Sequence, residues 1–306
     1  MEIKKAIRHK VNLIISIAGV SGSGKTYSAL LLAAGLAGPG GKIGFLDTEN
    51  GRGSMYADDP GVMAAIPQGY GALELEAPFS PARYIEAIDT FERAGYQVLV
   101  IDSASHSWEG IGGCTDIAEA DRGRWNRAKL QNKRLVMRLL NSNMSIVVCL
   151  RAREKSKIID KKDSPDGKEH IIPLGILPVS EKNFPYEMML SFLVEEGTHL
   201  AKPIKLPAQF AKLFSQPKLI TKDDGDKIRL WNECAADFDP LEKLKRQSRA
   251  AASEGMAAYK TFFGGLSKAQ QQQLAATIHE ENKASADEAD AEKAEAERVA
   301  VETAVA

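Results

Sequence analysis

Apolar residues in this chain come in short continuous runs, and the runs end in residues that carry chemistry. Leu13-Ile14-Ile15-Ser16-Ile17-Ala18, Ile43-Gly44-Phe45-Leu46, Val98-Leu99-Val100-Ile101, Ser145 to Leu150 and Met188 to Val194 are near-continuous apolar stretches. Such runs predict strands covered on both faces. Between them the period changes to that of a helix. Tyr27 to Leu36 predicts one helix, ending near Gly38-Pro39-Gly40-Gly41. Ser80 to Glu92 predicts a second, with Ser80 as N-cap, Pro81 at the first helical position and Tyr84, Ile85, Ile88 and Phe91 on one face. Residues 121–138 read as an amphipathic helix packed through Leu130, Leu135 and Leu139. Strands alternating with helices predict an α/β fold with a mainly parallel twisted sheet flanked by helices.

Other stretches modify that outline. Residues 51–80 carry Gly51, Gly53, Pro60, Pro67, Gly69, Gly71 and Pro78 and read as loop. Lys157 to Asp160 and His170 to Ile172 flank a polar segment at 161–168, which predicts a β-hairpin addition. Glu196-Gly197 reads as a turn after the Met188–Val194 strand, and Asp223-Asp224-Gly225 as a turn within a small closing unit. Beyond Asp239-Pro240 the composition shifts to Ala, Lys and Gln. The expected division is a core at 1–236, a helical C-terminal region at 237–283, and an acidic, alanine-rich tail at 284–306 that is disordered or a frayed helix.

The first strand runs into Gly19-Val20-Ser21-Gly22-Ser23-Gly24-Lys25-Thr26, which fits G-x-x-x-x-G-K-S/T at every fixed position. Its glycines let backbone N–H groups turn inward around phosphate oxygens. Lys25 reaches the outer phosphates, Thr26 offers a hydroxyl to Mg²⁺, and the helix from Tyr27 onward directs its positive end at the same anion. ATP and Mg²⁺ are the expected cofactors.

Two strands end in acids. Asp47-Thr48-Glu49 follows the second run, at the carboxyl end where ligands of α/β sheets sit. Glu49 is a candidate to activate a water beside the terminal phosphate; the structural alternative is an acid capping the next helix. Asp102 ends the Val98–Ile101 run, which places it to hold Mg²⁺ directly or through water. Ser103 follows it, so the search for a catalytic acid returns to Glu49. His106 is either a phosphate sensor or a structural histidine. Tyr56 can stack on a base or cover the core.

A net charge of −1 over 306 residues decides nothing by itself, but its distribution is uneven. Residues 121–138 hold seven Lys or Arg against one Asp, a local +6, with Trp125 among them. Arg122, Arg124, Arg127 and Lys129 can bind a phosphate backbone with Trp125 stacking; the alternative is the solvated face of a helix. Cys114, Cys149 and Cys234 form neither a disulfide framework nor a metal pair, which predicts a reducing cytoplasm. No apolar run reaches a membrane span, and the residues before the first strand leave no room for a cleavable signal.

The order of P-loop, Asp47-Thr48-Glu49, Val98 to Ser103, and a strand ending in Arg151 resembles the RecA-like P-loop ATPase core over roughly residues 10–235. More narrowly, Asp102-Ser103-Ala104-Ser105-His106-Ser107-Trp108, Phe184-Pro185-Tyr186-Glu187 and the C-terminal Phe262-Phe263 stretch resemble phage nucleotide-binding proteins of the Sak-type single-strand annealing group. The resemblance implies Glu49 as catalytic carboxylate, Tyr56 stacked on adenine, and Arg151 as the polar residue coupling the terminal phosphate to DNA; RecA has Gln at that last place. It implies a homo-oligomer with a basic finger supplied in trans, for which Arg153, Lys155 and Lys182 are candidates. It also implies single-stranded DNA and a single-strand binding protein as partners in a phage-infected host's cytoplasm. Two further functions fit the same residues: a nucleotide-gated assembly protein, and a P-loop kinase of small molecules. The kinase lacks an evident lid or substrate pocket here.

Overall fold

The computed structural model describes residues 8–159, 170–234 and 240–305. They fall into two compact units, one spanning Val11–Cys234 and one built on the C-terminal helices. In the first unit the strands are β1 (Ile14–Gly19), β2 (Ile43–Asp47), β3 (Gly71–Glu74), β4 (Val98–Asp102), β5 (Ser145–Ile159), β6 (His170–Pro178), β7 (Leu190–Val194) and β8 (Ala201–Lys205). They form one sheet in the order β3-β2-β4-β5-β1-β7-β8, with β6 paired to β5 outside that row. Every pairing from β3 across to β7 is parallel, and β5–β6 and β7–β8 are antiparallel hairpins. The fold is therefore the mixed α/β core expected of a P-loop protein, with its hairpin additions.

Alternation along the buried strands feeds two core layers. Ile15 and Ile17 of β1, and Val98 and Val100 of β4, join one cluster with α1 (Lys25–Ala37) and α8 (Lys222–Glu233). Ile14, Leu99 and Ile101 join the other, with α3 (Pro81–Arg93) and α6 (Asn126–Leu140). On the first side α1 and α8 approach through facing glycines. A Cβ on Gly35 would lie 2.1 Å from the carbonyl oxygen of Lys222, so no larger residue fits that crossing without displacement.

Four expectations change. Asp223-Asp224-Gly225 is not a turn: it lies in the first turns of α8, because Thr221 and Asp224 form a reciprocal capping box and Gly225 packs against α1. The stretch 51–80 is not loop throughout. It holds a short 3₁₀ turn at Arg52–Tyr56, α2 (Pro60–Ala65) and the edge strand β3, four residues long and too short to show a period. On α6, Leu135 and Leu139 are buried as expected, but Leu130 is 52% exposed. Ala128, not Leu130, is the buried residue of that turn. Finally, β5 does not stop at Leu150 but continues to Ile159 and pairs with β6. The segment 161–168 between these hairpin arms lies outside the described residues.

The short helices α4 (His106–Glu109), α5 (Cys114–Ala120) and α7 (Phe184–Glu187) complete the first unit, and the C-terminal unit contains α9 (Pro240–Ala252), α10 (Met256–Gly264), α11 (Lys268–Ala275) and α12 (His279–Val305). Leu244, Leu274 and Ile278 form one small core, and Ala252, Tyr259 and Ala286 another. Ala286 belongs to the acidic stretch, so that stretch begins packed within a helix. Among the described residues no helix is long and apolar enough to cross a membrane.

Candidate active site

β5 separates the strand that leads into the P-loop from the strand that ends in Asp102. The register sets Gly19 beside Arg151 and Asp102 beside Cys149, so the carboxyl ends of β1 and β4 flank the same part of β5, which itself runs on to Ile159. β2 follows, with Asp47 opposite Asp102. Residues distant in the chain thus meet at one sheet edge.

The loop itself takes its shape from glycine. Gly22 and Gly24 have φ of 81° and 86°, a left-handed backbone that residues with a Cβ avoid. The Val20 carbonyl accepts a bond from the Ser23 amide, and α1 starts at Lys25, a residue only 9% exposed. Ser21 is exposed at the loop's crest and Ser23 is buried. Tyr27 lies just inside α1, its ring 6.3 Å from that of Tyr56.

Thr26 and Asp102 meet: the Thr26 hydroxyl donates to Asp102 Oδ2 at 2.5 Å. Asp102 is almost wholly buried. Burial pushes its carboxyl up, against the Thr26 hydrogen bond and the Lys25 charge, which pull it down. Its other oxygen, Oδ1, is buried without a hydrogen-bond partner, as are Ser23 Oγ and Ser103 Oγ. An orphaned carboxylate oxygen beside a threonine hydroxyl and a buried lysine suits a hydrated divalent cation on a phosphate chain. No cluster of three or more His, Cys, Asp or Glu capable of holding a metal occurs among the described residues.

Glu49 lies at the same edge but is engaged. Arg151 Nε donates to Oε1 at 2.7 Å and Nη2 to Oε2 at 2.8 Å, and Arg52 approaches at 3.4 Å. Burial raises the Glu49 carboxyl, but the hydrogen bond and charge of Arg151, with His106 and Lys25, more than offset this and hold it below its usual range. Asp47 has a supporting role: its carboxylate accepts from the amides of Glu49 and Gly53 and so shapes the chain around Glu49.

These observations agree with a comparison against protein families, in which the profile of the AAA domain matches residues 11–202. The chain belongs to the AAA domain family. No curated protein matches it. Membership in this family of P-loop ATPases supports nucleotide binding at the site just described.

Several other residues complete the site; His106 and Tyr56 were candidates in the sequence, whereas Phe79 and His199 were not singled out there. The Thr48 hydroxyl accepts from the Ser103 amide at 2.8 Å and lies 2.8 Å from His106 Nδ1. His106 stacks on Phe79 with ring centres 4.7 Å apart. Burial and the Arg151 charge lower its pKa, which favours the neutral ring. His199, in the turn between β7 and β8, has a φ of 57°, and its Nδ1–H donates to the carbonyl of Ser23 at 2.9 Å. The only advance signal for it was its place after a strand that turned out to flank β1. Tyr56 presents its hydroxyl to the same cluster. Burial and Asp102 push its phenol up, and Thr26's hydroxyl partly offsets them.

The basic stretch follows α5 and is largely solvent-facing. Arg122, Arg124, Arg127 and Lys129 are all exposed. None of them forms an ion pair among the described residues. Trp125 stacks on Trp108, ring centres 5.6 Å apart, and stays 38% exposed. Arg138 is different: it pairs with Asp89 and Glu92 of α3 and fastens α6 to the core.

Proposed function

We propose that this protein is a Mg²⁺-dependent ATP hydrolase acting on single-stranded DNA in phage-type recombination or strand annealing. The observation that carries the hydrolase reading is the convergence of Lys25, Thr26, Asp102 and Glu49 at the ends of β1, β2 and β4. Gly19 to Thr26 would hold the phosphates, with Tyr27 and Tyr56 lining that side, and Thr26 and Asp102 would hold the cation. A bound Mg²⁺ supplies charge neutralisation on the outer phosphates. Lys25 binds and orients the phosphate chain, and Glu49 takes a proton from the attacking water once its carboxylate is available. Arg151 serves as the coupling residue beside it.

The DNA reading rests on the resemblance to annealing ATPases, supported by the exposed arginines around Trp125, which form no ion pair among the described residues. A homo-oligomer and a single-strand binding protein as partner come from the same resemblance. The rival reading, a nucleotide-gated assembly protein, draws support from the engagement of Glu49 by Arg151, since a carboxylate so held is a poor base.

The deciding experiment is the ATPase rate with and without oligothymidylate, alongside Lys25→Ala. We expect Mg²⁺-dependent turnover stimulated by the oligonucleotide, and loss of tight ATP binding in a folded Lys25→Ala. Hydrolysis at the parental rate by Lys25→Ala would refute the site. Tight ATP binding without turnover under any condition would favour the assembly protein.

A further inference from the structure

The turn between β7 and β8 stands against the P-loop because β7 pairs with β1, with Val194 beside Gly19. It is braced from within. Glu195 N–H donates to the Leu200 carbonyl at 3.0 Å, His199 N–H to the Glu195 carbonyl at 3.1 Å, and Leu200 N–H to Thr198 Oγ1 at 3.3 Å. Position 199 takes the left-handed backbone, φ 57°, which His and Asn enter more readily than most residues. So placed, the ring lies against the loop. His199 Nδ1 is 2.9 Å from the Ser23 carbonyl oxygen, and a Cβ on Gly24 would lie 3.3 Å from the same nitrogen. A carbonyl oxygen only accepts, so the hydrogen of this bond is on Nδ1.

The Ser23 carbonyl needs such a donor. The α1 ladder reaches back only to the Gly24 carbonyl, which accepts from Ser28 N–H at 2.9 Å. Ser23 is fully buried, and a buried carbonyl left without a donor is costly. The bond also fixes a direction. The Ser23–Gly24 peptide is trans, so its C=O and N–H point opposite ways in one plane. A carbonyl held outward by His199 turns the Gly24 N–H the other way, into the loop. Gly22 and Gly24 by themselves resist a flip of that peptide poorly, since neither carries a Cβ. A flipped peptide would offer a phosphate its carbonyl instead of its N–H.

We propose that His199 is a positioning residue of the P-loop, its Nδ1–H holding the Ser23–Gly24 peptide with the Gly24 N–H directed at a bound polyphosphate. This rests on the reading of Gly19 to Thr26 as a phosphate-binding loop. His199 does not touch the ligand in this role. It raises the share of loops already shaped for the anion, and apparent affinity scales with that share.

The test is binding of a slowly hydrolysed ATP analogue with Mg²⁺, and separately of tripolyphosphate, to the full-length protein, with melting curves showing that each variant is folded. Three variants separate the donor from the turn. His199→Gly keeps the left-handed backbone and removes the donor. His199→Asn keeps both, since Asn enters the same backbone region and its side-chain amide is a donor at the reach of Nδ1. Thr198→Ala loosens the same turn and leaves the donor in place. We expect His199→Gly to bind both ligands about fivefold more weakly, the scale of one hydrogen bond, and the other two variants to stay within about twofold of the parent. Equal weakening of the analogue and tripolyphosphate supports an effect on the phosphate cradle. Parental binding by His199→Gly overturns the proposal, as does a His199→Asn as weak as His199→Gly. A Thr198→Ala as weak as His199→Gly assigns the effect to the turn as a whole, and weakening confined to the analogue assigns it away from the phosphates; either overturns the proposal. Lys25→Ala keeps the two readings apart. Undiminished binding there overturns the P-loop site itself, whereas loss there with parental binding by His199→Gly overturns the role of His199 alone.

Discussion

At the scale of single residues, the site consists of side chains held away from their simplest roles. Glu49 is the clearest case. Its carboxyl is raised by burial and lowered further by Arg151, with a net shift below the ordinary 4.5. A carboxyl with a folded pKa below its unfolded value adds stability above the unfolded value, and that stability is lost as pH falls through the folded one. We therefore expect Glu49→Gln to melt below the parent at pH 7, with the gap closing as pH is taken down past about 4.5. Melting curves from pH 7 to pH 3 check this; a gap independent of pH would show that the ion pair adds nothing. The same variant should keep ATP and hydrolyse it about 10²-fold more slowly, as for a lost general base. How far such residues were legible depended on what fixed them. The P-loop was readable in full because its chemistry needs one spacing of Gly, Lys and Thr. Glu49 and Arg151 were each readable as polar strand ends, but not as partners. They stand 102 residues apart, and only the placement of β5 between β1 and β4 brings them together.

At the scale of elements, periodicity located helices but did not say which stripe of each was buried. On α6 the pattern allowed Leu130 into the core, whereas the helix turns Ala128, Leu135 and Leu139 inward and leaves Leu130 and Met137 outside. Short or capped elements were harder still. β3 has four residues, and the first turn of α8 carries Asp223-Asp224-Gly225, a turn spelling that a Thr221 capping box converts into a helix start. The exposed basic end of α6 and the bend before it carry their own prediction. Changing Arg122, Arg124 and Arg127 to Ala removes no ion pair among the described residues, so the fold and ATP binding should persist. If these side chains meet a single strand, each lost phosphate contact reduces the salt slope by about 0.7, or about 2 for the triple variant. Fluorescence titration of an oligonucleotide at several salt concentrations reads both affinity and slope. Unchanged affinity and slope, with a smaller oligomer, would assign this surface to contacts between copies.

At the scale of the whole molecule, alternating strands and helices were enough to predict a mainly parallel α/β core, because a strand covered on both faces must be apolar throughout. The order β3-β2-β4-β5-β1-β7-β8 was not readable that way, since nothing in a buried strand's composition names its neighbour. That order leaves the proposed assembly with a sharper test than sequence offered. Of the three candidates for a finger supplied in trans, Arg153 pairs with Glu109 of its own chain at 2.7 Å, and Lys155 donates to the Pro178 carbonyl at 3.4 Å. Lys182 is exposed and forms no ion pair among the described residues. We expect Lys182→Ala to bind ATP normally but hydrolyse it slowly, and Arg153→Ala to cost only what an exposed pair gives, up to about 1 kcal/mol of stability. Mixing decides whether Lys182 acts across an interface. Lys25→Ala cannot use its own P-loop but still carries Lys182, while Lys182→Ala has an intact P-loop. If copies share a site, the mixture hydrolyses ATP faster than the sum of the two variants alone, and the parental rate per molecule rises with concentration. A mixture no faster than that sum, with sedimentation as a monomer at every concentration, removes the shared site and leaves Lys182 a surface lysine.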